Sequence, residues 1–421
     1  MRHTALLSLV AGMLLSWALL HPAAASAQNT DSLMQYRRSS LYSLLISHPD
    51  LKMNDEIVNA FMALQTPDKY NNHDLDIKCV TTDSPQKNLR PDIEEWLEEN
   101  EVAKGLVSKW FLRDDVTGGF DPSLILERGL YGATAMDVET ARQSKRGIDA
   151  LGDKGYEMIS NTFVIVNDIT YIDHEKNAQI ASGVLALISG IAAISSSEDE
   201  DNDAAAIVSG AAAAGSLISS MIAGFTVRIR TYLFQLEWDD ETAGKFYDLY
   251  YFDSQSGDSS ASLRKAAYEK DDSTFRLKYV GQYKARSDKP VLRGLYSPED
   301  VFRKVCARAI DNNVMKLQRK FDQFKVKVPL SGTSPLSAPI GMKEGVRPGS
   351  RYEVLVPVLD EATGTVRYNR RGVIRPVAGQ IWDNRYMASE EEAEGADLSA
   401  TTFSVVSGGG FTPGMLIREI K

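Results

Sequence analysis

Two strongly β-prone runs bracket a long stretch of small apolar residues, and this arrangement constrains the fold of the 421-residue chain more than any other feature. The runs are Thr162 to Ile172 and Thr226 to Trp238, and both are dense in β-branched and aromatic residues. In the second run Arg228 and Arg230 alternate with apolar residues, which predicts a strand with one apolar and one cationic face.

Between these runs lie two apolar stretches, Ala178 to Ser195 and Ala204 to Phe225, joined by the acidic linker SSEDEDND. Small residues recur every fourth position in both stretches, which predicts a helical hairpin, residues 178–225, whose backbones approach closely. Each stretch is long enough to cross a bilayer, yet both are less hydrophobic than leucine-rich spans. A hairpin packed within the protein or in an oligomer is favoured, and membrane association or insertion through residues 178–225 is the alternative.

Residues 1–27 have the pattern of a secretory signal peptide. The basic residues Arg2 and His3 precede an apolar run from Ala5 to Leu20, and Ala25-Ser26-Ala27 fits the small-residue rule for cleavage. The mature chain is therefore predicted to begin at Gln28 and to be exported to the periplasm or cell envelope.

The composition is that of an ordinary globular protein, with 43% hydrophobic and 25% charged residues. A net charge of -10 argues against a nucleic-acid partner, because few cations would be left to neutralise phosphates. Export would permit a disulfide between Cys79 and Cys306, the two cysteines of the chain. Cys306 fits the apolar stripe of a helix equally well, so two free thiols are the alternative.

The pattern predicts an α+β fold with a mixed domain over residues 28–325 and a small barrel-like β domain over residues 326–421. A long helix from Pro298 to about Phe324 leads into the β domain. The other predicted elements are a strand at Leu41–Ile46, a helix capped by Asn54, helices that begin at Pro91 and Thr134, a strand near Phe275–Ala285, and C-terminal strands at Tyr352–Val358, Val366–Pro376, Thr401–Val406 and Met415–Ile420. The helix that begins at Pro91 is expected to continue through Trp110.

Two Pro-Gly turns, Val346-Arg347-Pro348-Gly349 and Phe411-Thr412-Pro413-Gly414, punctuate the predicted β domain and suit type II turns. With IGMKEGVRPGSRYEVL near its start and FTPGMLIREI at its end, this domain resembles the small β domains that end some bacterial envelope proteins, such as flagellar assembly protein T. The order of TFVIVNDITY, the small-residue hairpin, FTVRIRTYLFQLEW and VCARAIDNN resembles uncharacterised secreted or periplasmic proteins of Gram-negative bacteria. These resemblances imply an envelope location and bring no catalytic residues with them.

The predicted mature chain has three histidines, His48, His73 and His174. His73 and His174 lie in polar segments and are expected in solvated loops, with a role in a metal site as the alternative. No metalloprotease, nucleophile-elbow, dinucleotide or phosphate-loop motif is present, so no catalytic, cofactor-binding or metal-binding residue is predicted.

These observations favour a non-catalytic protein of the cell envelope with an assembly or binding role, acting through a protein partner or self-association. One alternative is a membrane-active or pore-related protein that inserts residues 178–225. A second alternative is a hydrolase without a recognisable motif.

Overall fold

The computed structural model describes residues 39–81, 89–131, 157–173, 225–253, 259–287, 298–359, 366–385 and 395–420, with the short pieces 222–223, 291–292 and 388. Its fold is α+β, with two large sheets in the order predicted along the chain and a separate two-stranded ribbon. The predicted signal peptide, the helix expected from Thr134 and most of the predicted hairpin lie outside the described residues.

The strands are β1 Ser39–Ser47, β2 Tyr70–Asn72, β3 Cys79–Thr81, β4 Thr162–Asp173, β5 Ile222–Ala223, β6 Phe225–Leu236, β7 Leu277–Ser287, β8 Val291–Leu292, β9 Val328–Pro329, β10 Gly332–Thr333, β11 Leu336–Ala338, β12 Arg351–Leu359, β13 Val366–Pro376, β14 Thr401–Gly408 and β15 Leu416–Ile420. The α-helices are α1 Asn54–Met62, α2 Arg90–Glu99, α3 Val102–Trp110, α4 Ser123–Tyr131, α5 Asp240–Lys245, α6 Ala261–Lys270 and α7 Pro298–Lys320. Single turns of other helices follow at Phe246–Tyr250 (π) and at Asp322–Phe324 and Met342–Glu344 (both 3-10).

The first sheet is mixed and has the order β2-β1-β4-β6-β7, with β3 also paired to β1. Strand β1 is parallel to its neighbours, whereas β6 is antiparallel to both β4 and β7. Both faces of β1 are buried, since Leu45 packs with α1 and α7 and Leu44 packs with α2 and α3 on the opposite side. This explains why the sequence of the predicted strand is a nearly continuous apolar run.

Helix α7 covers one face of this sheet through an apolar stripe that includes Phe302, Cys306 and Leu317. At its end the ring of Phe321 lies over Gly281, where an added Cβ would come within 2.3 Å of the ring. Gly281 lies next to a register shift between β6 and β7, so this bulge makes room for the end of the predicted long helix.

The second sheet is antiparallel and has the order β10-β11-β14-β13-β12-β15-β9. Its two end strands, β9 and β10, are separated only by Leu330 and Ser331 in the chain, so the sheet curls round until its ends are close together. The predicted C-terminal strands and the barrel-like character of the β domain are confirmed. Gly349 and Gly414 have φ of 90° and 89°, which confirms the type II geometry of both Pro-Gly turns.

Three local predictions are wrong. The helix predicted from Pro91 through Trp110 is two helices, because Glu101 adopts a left-handed φ of 47° and the Asn100 side chain bonds the Trp96 carbonyl. Asn54 does not cap α1, since its Oδ1 accepts instead from the His48 amide at 2.9 Å.

The third wrong prediction concerns the end of the proposed hairpin, where Ile222, Ala223 and Phe225 lie in strands instead of a helix. Pairing of Ile222 and Ala223 with β8, and of Phe225 with Asp173 of β4, supplies the hydrogen bonds that a helix would otherwise have provided. Cys79 and Cys306 are free thiols, so the disulfide is absent and the free-thiol alternative applies.

Candidate functional site

Two neighbouring strands place four cations on one face of the first sheet. Arg228 lies directly opposite Arg286, and Arg230 lies directly opposite Lys284, in the antiparallel register of β6 and β7. The apolar residues between them, such as Ile229, point to the other face and pack beneath α7. We call Arg228, Arg230, Lys284 and Arg286 the cationic face; the strand alternation that predicted the first two is confirmed.

The cationic face is a local exception to the charge balance of an acidic protein. Arg228, Lys284 and Arg286 are exposed, and no described residue offers their side chains a hydrogen bond or an ion pair. Like charges directly opposite each other on neighbouring strands destabilise a sheet. A surface of this kind costs folding free energy and presents an unneutralised positive potential to anions.

A histidine–carboxylate pair borders the cationic face. Asp168 of β4 lies opposite Arg230 in the register, and its Oδ1 is 2.9 Å from Nε2 of His48, which follows β1. The hydroxyl of the adjacent Ser47 hydrogen-bonds to Asn54 rather than to the histidine. Asp168 therefore places a carboxylate opposite Arg230, and the contact with His48 fixes its position.

The cationic face lies at the end of the sheet from which the small-residue segment departs. Strand β4 ends at Asp173 and β6 begins at Phe225, and Arg286 is the last but one residue of β7. Strands β5 and β8 pair in the same register as β6 and β7, so this two-stranded ribbon continues beyond the sheet. The apolar stretches 178–195 and 204–225 thus connect to the described fold within a few residues of the cations.

His73 is fully buried, and the prediction that it lies in a solvated loop is wrong. Its Nε2 donates to the carbonyl of Leu106 at 3.0 Å, so Nδ1 is the acceptor that faces Arg128 at 3.0 Å. The ring also packs against Trp110, with centroids 4.8 Å apart. Burial, followed by the charge of Arg128, lowers the pKa of His73 from 6.5 to about 3.

This arrangement makes His73 a neutral structural residue. Both of its ring nitrogens are occupied, so it is not available as a metal ligand or as a general base. His174, the other histidine considered for a metal site, lies outside the described residues.

Within the described ranges, no three potential metal ligands come together. Of the helices described, none is both long and apolar enough to span a bilayer. Comparison with protein-family models and with curated proteins found no match to the chain.

Sequence reasoning found half of the cationic face and missed the other half. The segment Lys284-Ala285-Arg286 carries the same alternation of cation and apolar residue that marked Arg228 and Arg230. Its meaning depends on the register, because a shift by one residue would send both cations to the opposite face.

Proposed function

We propose that the protein is a non-catalytic protein of the cell envelope that binds an anionic membrane surface through its cationic face. The observation that carries this proposal is the opposition of Arg228 to Arg286 on adjacent strands, where both side chains are exposed and have no partner among the described residues. A like-charge pair that destabilises the fold, and that no other group of the protein neutralises, is characteristic of a functional surface. Phosphate headgroups would supply the missing compensation.

The energetic balance favours a membrane. Each Lys or Arg close to an anionic leaflet contributes about 1 kcal/mol of binding free energy, whereas an opposed like-charge pair costs between about 0.2 and 1 kcal/mol. The three exposed cations, Arg228, Lys284 and Arg286, therefore gain more at a lipid surface than the opposed arginine pair loses in the folded protein. A flat array of cations on a sheet also suits a surface better than it suits a single small anion.

The position of the cationic face supports the same partner. The chain leaves and re-enters the sheet beside Arg228, and the segment between carries the apolar stretches 178–195 and 204–225. Apolar insertion and a basic surface are the two contributions that together give stable membrane binding. Under this proposal, residues 178–225 contact the acyl region while the cationic face contacts headgroups.

Co-sedimentation with vesicles tests the proposal. The chain from Gln28 to Lys421 is expected to bind vesicles that contain phosphatidylglycerol more tightly than pure phosphatidylcholine vesicles, and the difference should shrink as salt rises. The double variant Arg228→Gln/Arg286→Gln should bind anionic vesicles about 30-fold more weakly, which corresponds to about 2 kcal/mol for two cations.

A matched control removes two other exposed cations, through Arg276→Gln/Lys278→Gln at the opposite end of β7. The net charge of the two double variants is identical, so only the position of the charge differs. Equal binding by both double variants would show that the cationic face has no special role. Binding to polyglutamate but not to vesicles would instead indicate an acidic protein partner.

A further inference from the structure

A cleft of about 270 Å³ opens between α3 and α6, on the side of the first sheet opposite α7. The residues that matter for its chemistry are Glu101, Lys104, Ser108, Arg113, Tyr268 and Glu269. Its volume lies just below the range of typical small-molecule pockets, which suits a ligand smaller than a nucleotide.

The floor of the cleft is ordered and cationic. The hydroxyl of Tyr268 bonds to the Lys104 carbonyl at 3.0 Å and to the Ser108 hydroxyl at 2.7 Å, and this tyrosine is buried. Lys104 and Arg113 lie over its ring at 5.4 and 5.1 Å from the centroid, with side chains only 11% and 15% exposed. Nζ of Lys104 donates to the Glu101 carboxylate at 2.9 Å and to the carbonyls of Glu269 and Asp271 at 3.2 and 2.9 Å. Lys104 therefore contributes a fixed positive charge to the base of the cleft, and Arg113 is the cation that has donors left for a ligand.

The rim of the cleft is anionic and solvated. Glu101 bonds Lys104 at 2.9 Å and Glu269 contacts Arg113 at 3.2 Å, yet each glutamate side chain is 52% exposed. Nε of Arg113 is buried, and Nη2 bonds Glu269, which leaves Nη1 without a hydrogen bond to any described residue. The guanidinium therefore retains donor capacity, and its single exposed ion pair is weak enough for a ligand carboxylate to displace.

The helix that forms one wall is held between two strained residues. Glu101 and Leu112 have positive φ of 47° and 39°, and they are the non-glycine residues with positive φ in the described part of the chain. They flank α3 on either side. Backbone strain of this kind clusters at ligand sites, where the surrounding structure holds it in place.

We infer that this cleft binds a small zwitterion, an α-amino acid or a dipeptide. The ligand carboxylate faces Arg113 and Lys104 at the floor, and the ligand ammonium lies between Glu101 and Glu269 at the rim. A simple anion would be repelled by the two rim carboxylates, and a simple amine would be repelled by the two floor cations. A zwitterion alone matches both layers of charge.

The first experiment is a thermal-shift screen of the chain from Gln28 to Lys421 with the twenty amino acids and glycylglycine, followed by calorimetry on the best ligand. That ligand is then compared with its analogue lacking the amino group and its analogue lacking the carboxylate. Each analogue is expected to bind at least about tenfold more weakly, because each loses one charge-assisted contact. No binding by any member of the panel at about 1 mM would overturn the inference.

Two variants test the orientation of the ligand. Arg113→Gln should weaken amino-acid binding about tenfold or more, whereas Lys270→Gln, on the same side of the fold but outside the cleft, should leave it unchanged. Glu269 is exposed, so the Glu269→Gln variant should fold normally. It should bind the amino acid more weakly, and it should bind the analogue without an amino group more tightly, because the rim then repels the ligand carboxylate less. Glu98→Gln is its control, and a Glu269→Gln effect of the same sign on both ligands would refute the proposed orientation.

Discussion

Arg228 and Arg286 lie directly opposite each other on adjacent antiparallel strands, with exposed side chains that no described residue neutralises. Sheets normally avoid such pairs, since opposed cations repel at a distance of about 5 Å between their Cβ atoms. Removing one of these cations is therefore expected to raise the free energy of unfolding and to lower the affinity for an anionic surface.

Replacing one member of this pair is expected to stabilise the protein while it weakens binding. Arg286→Thr removes the repulsion and introduces a β-branched residue, so the free energy of unfolding should rise by about 0.5 kcal/mol. Urea unfolding measures this change, and vesicle binding should fall in the same variant. Lys278→Thr on the same strand is the control; an Arg286→Thr variant that loses stability would contradict the repulsion argument.

The buried His73 predicts a pH dependence of stability. Its pKa is about 3 in the folded protein and near 6.5 when unfolded, so the unfolded chain binds the extra proton between these values. The stabilising contribution is complete above pH 6.5 and is lost as pH falls toward 3. Between pH 6 and 5 the wild type should lose about 1 kcal/mol through this residue.

The His73→Gln variant isolates that contribution, since glutamine does not titrate. Denaturant unfolding of both proteins at several pH values between 5 and 7 gives the two slopes. The variant should be less stable at pH 7 and should show the smaller decrease on acidification. If the free energy of unfolding falls equally with pH in the two proteins, His73 is protonated in the folded protein as readily as in the unfolded chain.

A buried polar network beneath α7 predicts unequal effects of two asparagine substitutions. Thr231 donates to Asn167 at 2.7 Å, Asn167 donates to the Leu44 carbonyl at 3.1 Å, and Asn313 donates to Thr231. Asn167→Ala leaves two buried groups without partners and should cost about 2 to 4 kcal/mol.

Asn313→Ala is the matched comparison within the same network. The Asn313 side-chain oxygen has no partner among the described residues, so its removal relieves one unsatisfied group. The gain in helix propensity further offsets the lost bond to Thr231, and the cost should stay below about 1 kcal/mol. Thermal and urea unfolding measure the free energy of unfolding of both variants. Equal losses would contradict the expectation that Asn167 contributes more to the network than Asn313 does.

The curled second sheet predicts where the C-terminal domain can be separated. A fragment of residues 326–421 retains β9, whose Val328 pairs with Ile417 and is buried together with Leu330. We expect this fragment to unfold cooperatively. A fragment of residues 332–421 lacks both side chains, each worth about 1.5 to 3 kcal/mol of burial, and should not fold. Circular dichroism melts of the two fragments make the comparison, and a cooperative melt of the shorter one would show that β9 is dispensable.

Local pattern was sufficient for much of this fold. The density of β-branched residues marked β4 and β6, the apolar stripe marked α7, and the Pro-Gly pairs marked the turns at Gly349 and Gly414. These features depend on residues close in the chain, where propensity and periodicity act directly. The same kind of information could not reveal the break at Glu101, because a left-handed φ is uncommon for glutamate and no local residue pattern marks it.

Contacts between distant parts of the chain account for the rest. His73 stands in a polar segment, yet Leu106 and Arg128 enclose it. The cationic face exists only because the register brings Arg286 opposite Arg228, and the cleft exists only because α6 returns beside α3. A sequence specifies which side chains alternate along a strand or a helix, whereas the distances that turn them into a site are set when separate elements pack around a common core.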